Sequence, residues 1–131
     1  MITFEDILHT LNDLFIDKLP IYIEEINKIH NDGLIIYPFE NKSVLENCPK
    51  LPCFKFELLE AEYSEKDRIV ENEKFDFIIE IRTKTTDNTK IIEFCRYEKA
   101  IENLLTENEI LFLRIKILYF KDNLIKLRII I

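Results

Sequence analysis

Apolar residues recur at three- and four-residue intervals along the first stretch of the chain. They fall at Ile7, Leu8, Leu11, Leu14, Phe15 and Leu19, then at Tyr22, Ile23, Ile26 and Ile29. That spacing lines one face of a helix. Pro20 interrupts the stripe, because a proline removes one helical hydrogen bond and disfavours helix at the residue before it. The pattern predicts a helix from about residue 4 to about residue 30, kinked or broken near Pro20. Thr3 followed by Asp6 resembles a capping box with a short acid. "NDG" at residues 31–33 stops the helix, with Gly33 available for a left-handed cap.

Residues 34–52 carry Pro38, Pro49 and Pro52 and read as irregular. The period then changes to two. Phe54, Phe56 and Leu58 alternate with Lys55 and Glu57, and Phe75, Phe77, Ile79 and Ile81 alternate with Asp76, Glu80 and Arg82. These are half-buried strands. The charged "EAEYSEKDRIVENEK" between them is too long for a tight turn and predicts a projecting hairpin arm or a loop. "TTDNT" opens a second helix, with Thr86, Asp87 and Asn88 as rival N-caps. Its apolar face runs through Ile91, Phe94, Cys95, Tyr97, Ala100, Ile101, Leu104 and Leu105. Leu111–Phe120 and Leu124–Ile131 read as two last strands joined by "KDN", with Asn123 suited to a left-handed turn position.

The order α-β-β-α-β-β predicts an α+β fold: a mixed, largely antiparallel sheet with two helices on one face. No repeat or linker divides residues 1–131, so one domain is expected. In the last strand Ile125, Leu127, Ile129 and Ile131 point one way, toward the helices. Leu124, Lys126, Arg128 and Ile130 point the other way, toward solvent or a partner. Arg128→Ala is therefore expected to cost little stability while impairing any assembly through that face.

The chain has 131 residues, 47% of them hydrophobic and 33% charged, enough apolar material for one core and a solvated surface. The net charge of −7 argues against direct nucleic-acid binding, which wants a basic face. No run of about 18 apolar residues suggests a membrane span, and "MITFEDILHT" lacks the features of a signal peptide. Cys48, Cys53 and Cys95 have no zinc-like spacing and read as reduced thiols, two in a loop and one on a helix. With Gly33 as the single glycine, the chain holds no phosphate-cradling loop and no nucleophile elbow.

Candidate chemistry is sparse. The carboxylate pairs Glu24/Glu25, Glu60/Glu62 and Glu71/Glu73 sit among lysines on polar stretches and read as solvated faces. "EIRTK", Glu80 to Lys84, superficially resembles the E-x-K of metal-dependent nucleases but lacks an acidic partner. His9 reads as a surface or boundary residue and His30 as a helix C-terminal residue favoured by the dipole. Ser43 and Ser64 have no base near them in sequence. Arg96 and Glu98 around Tyr97 read as a surface charge pair beside a core tyrosine. No catalytic, cofactor-binding or metal-binding residue is expected.

Three stretches carry a family likeness: "FEDILHTLNDLFIDKLPIYIEEIN", "LPCFKFELLEAEYSEKDRIVENEKFDFIIEIRTK" and "RYEKAIENLLTEN". Together they resemble the small tail-terminator, or tail-to-head joining, proteins of long-tailed bacteriophages and prophages. The likeness implies a structural protein that forms a homo-oligomeric ring, commonly a hexamer. Such a ring caps the tail tube and docks to the head connector, in the host cytoplasm during assembly and then in the virion tail. It implies no enzyme activity, no cofactor and no membrane. Contacts between copies are expected from the charged arm, at Tyr63, Lys66, Arg68 and Glu71, and from Arg128 on the last strand. This chain departs from the family in its strongly apolar last strand, which ends on three isoleucines, and in its near absence of glycine. The alternative is a small bacterial adaptor or binding domain without catalytic activity.

Overall fold

A computed structural model describes residues 3–41, 43, 50–66, 69–110 and 114–131, and for residues 63–66, 69–73, 114 and 119–120 the backbone only. The first helix, α1 (Phe4–Asp13), starts on the expected box. Asp6 N–H donates to Thr3 Oγ1 at 3.2 Å, and Thr3 N–H donates to Asp6 Oδ2 at 2.7 Å. The short aspartate therefore does the work of the usual glutamate.

Pro20 does not break the rod. A π-helical turn, Leu14–Lys18, leads directly into α2 (Leu19–His30), and Leu19 N–H reaches back to the Leu14 carbonyl, five residues away. The wider turn ahead of the proline accommodates its ring and its missing N–H. The left-handed cap falls on Asn31 (φ 42°), while Gly33 (φ 84°) makes a second left-handed step two residues on. Ile29 leaves the buried stripe and is 73% exposed. From there the chain is held by Asn27, whose side-chain amide brackets Ile36 with bonds of 2.9 and 3.0 Å.

Strands β1 (Cys53–Lys66) and β2 (Ile69–Arg82) form one long antiparallel hairpin. The charged stretch is thus an arm of paired backbone and not a loop, with rungs continuing from Ala61↔Phe75 to Lys66↔Ile69. Glu62 opposite Lys74 sets one pair of opposite charges across it. A bulge between Leu58 and Glu60 keeps both Leu58 and Ala61 opposite core residues of β2, Phe77 and Phe75. Cys53 opens β1 and is buried, not in a loop as expected; Cys95 is exposed, and Cys48 lies outside the described residues.

Helix α3 (Lys90–Glu107) begins later than the sequence suggests. Its N-cap is Thr89, and none of Thr86, Asp87 or Asn88 takes that place. Asp87 instead folds the preceding turn, accepting from Thr89 N–H at 2.9 Å and Thr89 Oγ1 at 2.5 Å. Strands β3 (Arg114–Lys121) and β4 (Leu124–Ile130) form a tight hairpin, and residues 111–113 of the predicted third strand lie outside the described residues. The left-handed turn residue is Asp122 (φ 53°), not Asn123. Asn123 is otherwise engaged: its amide donates to the Thr83 carbonyl at 2.7 Å and its own carbonyl accepts Thr83 N–H at 3.0 Å.

The described sheet has the order β1-β2-β4-β3, and each of its pairings is antiparallel rather than mixed. The apolar β4 is an inner strand. Ile131 continues its ladder, exchanging bonds of 2.9 and 3.1 Å with Phe75. Phe77, Ile79, Ile81, Ile125, Leu127 and Ile129 all have no exposed surface and face the helices. Leu11, Phe15, Leu19 and Ile23 meet them from the first rod, and Phe94, Ile101 and Leu104 from α3. Ile91 and Cys95 of the predicted α3 face are exposed. An aromatic group around Phe15, Phe54, Phe39 and Tyr97 closes one end, with ring centroids 4.9–5.1 Å apart.

Arg96 is not the surface partner of Glu98. It is buried to 5% exposure on α3 and bonds to Asp32 through both terminal nitrogens, with a further bond to the Leu34 carbonyl at 2.5 Å. Beside it, Tyr97 Oη donates to the Tyr37 carbonyl at 2.6 Å and accepts Tyr37 N–H at 3.2 Å. Burial pushes the Tyr97 hydroxyl well above its ordinary pKa. These contacts fasten the chain after α2 onto α3.

Ile129→Ala should cost about 2–5 kcal/mol, as for other large-to-small changes in a packed core. Urea unfolding of the protomer measures it, and an unchanged midpoint would deny that Ile129 is core. The second expectation concerns Asp32, whose carboxyl is drawn down from 3.8 to about 2, mainly by its hydrogen bond from Arg96. A depressed carboxylate stabilises above its unfolded pKa and ceases to as pH falls through the folded one. Stability lost on acidification from pH 3.8 to about 2 should therefore be smaller in Asp32→Asn than in the wild type. At neutral pH, Asp32→Ala should be worse than Arg96→Met. The first strands a buried guanidinium, whereas the second leaves a half-exposed carboxylate that water can solvate. The reverse order would show that the guanidinium reaches water once Asp32 is gone.

Candidate assembly interface

The helices cover one face of the sheet. The other face carries the alternate residues of each strand, among them Lys55, Glu57, Asp76, Ile78, Glu80 and Arg82, and from β4 Lys126 and Arg128. Charges of opposite sign interleave on it. Glu80 stands opposite Lys126 and also meets Arg82 at 3.1 Å. Arg128 grips Asp76 with two parallel bonds, Nε to Oδ1 at 2.9 Å and Nη2 to Oδ2 at 2.5 Å. This is the fork geometry that guanidinium and carboxylate favour.

Asp76 is nearly buried while Arg128 is 39% exposed. The hydrogen bonds from Arg128 hold the Asp76 carboxyl below its ordinary pKa, outweighing the opposing effect of burial, and the same contact raises Arg128. The expectation that Arg128→Ala would cost little stability is therefore corrected. The side chain points to the open face as predicted, but it is the partner of a carboxylate that has little access to water.

The other residues expected at an interface lie elsewhere. Tyr63 and Lys66 are on the distal part of β1, and Glu71 is on the facing part of β2, described by backbone alone. Arg68 lies outside the described residues. The ladders do not set Tyr63, Lys66 or Glu71 beside Arg128, which stands opposite Ile78 and Lys116 nearer the middle of the sheet.

The remaining chemical candidates do not converge. Glu80 is held by Arg82, and Lys84 lies exposed beyond the strand end. His9 is an exposed neighbour of Glu5 at 3.5 Å, and His30 is the exposed last residue of α2. No group of three or more metal-ligating side chains occurs among the described residues. No described helix is long and apolar enough to cross a membrane. One concavity of about 570 Å³ opens between Tyr37, Pro38, Phe39, Glu40, Pro52 and Lys84. Its polar side chains are those of Tyr37, Glu40 and Lys84, none of them buried.

The sheet's edges are more informative. Among the described residues, β1 and β3 each pair with a strand on one side only. Each shows two adjacent large aliphatic residues at a bulge: Leu58 and Leu59, both 44% exposed, and Ile117 and Leu118, 44% and 45% exposed. Alternation alone missed these, because a bulge suspends it and because the strand order was needed to know which strands are edges. Asn41, a buried amide in the irregular segment, also carried no periodic signal; it bonds to both backbone groups of Phe54 at 3.0 and 3.2 Å. No protein-family model, curated protein or solved structure matches this chain.

Arg128→Ala should lower the urea midpoint at neutral pH, because it leaves the Asp76 carboxylate, which has little access to water, without its partner. Asp76 has a depressed pKa, so the pair's contribution is present above the ordinary 3.8 and is lost as pH falls below it. The deficit of the variant should therefore shrink in acid, and Asp76→Asn added to Arg128→Ala should restore most of the midpoint at neutral pH. Equal deficits at neutral pH and at about pH 3 would show that the cost is lost packing.

Proposed function

We propose that this chain is a non-enzymatic assembly protein that builds a ring from copies of itself, in the manner of phage tail terminators. On this reading the ring, of six copies in the family it resembles, caps the tail tube and docks to the head connector. The protein works in the host cytoplasm during assembly and ends in the virion tail. The three stretches that carry the likeness supply the helical rod, the long hairpin and α3. The observation that carries the proposal is the aliphatic exposure on both edge strands. An edge with unpaired backbone and greasy side chains invites pairing with another chain, so a protein that keeps two such edges has a use for them.

The groove beside Tyr37, which is 60% exposed, favours the second reading, an adaptor that holds a peptide or another domain. Light scattering across a concentration series, with negative-stain imaging, separates the two. We expect a mass that is a multiple of the 15.8 kDa protomer, and closed rings in the images. A monodisperse protomer at every concentration would sink the ring and leave the adaptor.

A further inference from the structure

We propose that copies of this chain join head to tail through their sheets, the β3 edge of one protomer pairing antiparallel with the β1 edge of the next. The proposal rests on the assembly reading above and names the joint. Four observations point to it.

The first is which backbone groups remain open. Along the outer side of β1, Glu40 N–H bonds to the Pro52 carbonyl at 2.8 Å, and Asn41 takes both groups of Phe54. In an antiparallel strand the outward-facing groups recur every second residue. The next are at Phe56 and Leu58, where no described residue pairs with them. The outer side of β3 is likewise without a described partner. The covered stretch at residues 52–54 shows that this edge accepts hydrogen bonds from a neighbouring segment.

The second is charge. Beside the open part of β1 stand Glu57, Glu60 and Glu62, all exposed, against one cation, Lys55. On β3 stand exposed Lys116 and Lys121, and the strand Arg114–Lys121 contains no acid. Among the described residues, none of Glu57, Glu62, Lys116 and Lys121 takes part in an ion pair within the protomer. Lysines and bulges on an edge also serve to discourage pairing. Discouragement would be served by like charge on both edges; these two edges differ in sign.

The third is that the two rims match face by face. Glu57, Glu60, Lys116 and Lys121 all belong to the open face, by register with Ile78, Asp76, Arg128 and Leu124. Leu58 and Ile117 belong to the helix side, opposite Phe77 and Leu127. Joined edges would set acids beside lysines on one face and aliphatic side chains together on the other.

The fourth is strand direction. Neighbours in the order β1-β2-β4-β3 are antiparallel throughout, so β1 and β3 run oppositely. A rotation about an axis along the strands keeps their direction, and the next copy's β1 then meets β3 antiparallel. A two-fold joint of β3 with β3, or of β1 with β1, would set like charges against each other, which is unfavourable. The charges therefore select the heterologous joint, which closes into a ring or grows as a filament.

Two charge-reversed full-length proteins test this. Lys116→Glu with Lys121→Glu makes both edges acidic, and Glu57→Lys with Glu60→Lys makes both basic. Sedimentation velocity should find each alone shifted to the 15.8 kDa protomer, and an equimolar mixture reassembled. Reassembly cannot come from misfolded variants, and circular dichroism checks each fold. A measurement needing no variant is the wild-type mass, which should fall as salt is raised. If the wild type assembles and both reversed proteins assemble equally well alone, the joint is wrong while the assembly reading stands. If the wild type is a protomer at all concentrations, both fail together.

Discussion

The ladder between β2 and β4 is the contact on which both halves of the molecule depend. Each hairpin forms between near neighbours in sequence, and each helix forms from its own turns. The pairing of Asp76↔Ile130 through Arg82↔Leu124 instead joins segments separated by all of α3 and β3. Closing so long a segment is entropically unfavourable before any contact offsets it. What offsets it is concentrated on this ladder: Phe77, Ile79 and Ile81 from one strand and Ile125, Leu127 and Ile129 from the other, all without exposed surface. The ladder is also fastened beyond its apolar centre. Asn123 holds Thr83 at one end, Ile131 holds Phe75 at the other, and Arg128 reaches across to Asp76.

This arrangement explains why some features could be read from the chain and others could not. The capping box, the rod's buried stripe and the in-out alternation of β4 are local, and a periodic pattern reports them directly. The strand order has no local signature. An apolar last strand is equally compatible with an inner place and with an edge completed by a neighbour, and only the distant partner β2 decides. Arg96 and Asp32 are similar: a buried cation and its acid lie 64 residues apart, so nothing near Arg96 announces its partner. The π-helical turn and the shift of the left-handed residue from Asn123 to Asp122 are competitions between neighbours. In the first, a proline is accommodated by widening a turn; in the second, an asparagine is already engaged by Thr83. The charged stretch could be read as a hairpin arm or as a loop, and only the backbone ladder decides, because its side chains carry no apolar alternation to report the pairing.

Placing β4 inside has a consequence for the surface. It leaves β1 and β3 as the edges, and these are the strands in which charge segregates by sign. On the inner strands opposite charges meet within the protomer, as Asp76 meets Arg128 and Glu80 meets Arg82. The exposed acids of β1 and lysines of β3 are separated by the width of the sheet and cannot neutralise each other there. Opposite charges held apart on one rigid body make it electrically polar across its strands, and polar bodies attract end to end while repelling like ends.

The same geometry separates stability from association. The core cluster lies on the helix side, where the edge strands add Phe54, Phe56 and Ile115 to it, while the charged edge residues Glu57, Glu60, Lys116 and Lys121 stand on the other face and can change sign without entering the packing around Ile79 or Leu127. The exception is the open face near Arg128, where the Asp76 contact, and after it the charge of Glu60, raises the pKa of the guanidinium. There the acid of an edge strand and the ion pair of the inner strands are one electrostatic system. A neighbour's lysine brought to β1 would compete with Arg128 for Glu60 while Arg128 kept its two bonds to Asp76. The inner pair is the tighter because Asp76 is buried and Glu60 is not, and a charge with little access to water holds its partner more strongly than an exposed one does. Glu60 is thus the member of this group that can turn outward to a second chain without leaving a buried charge unpaired.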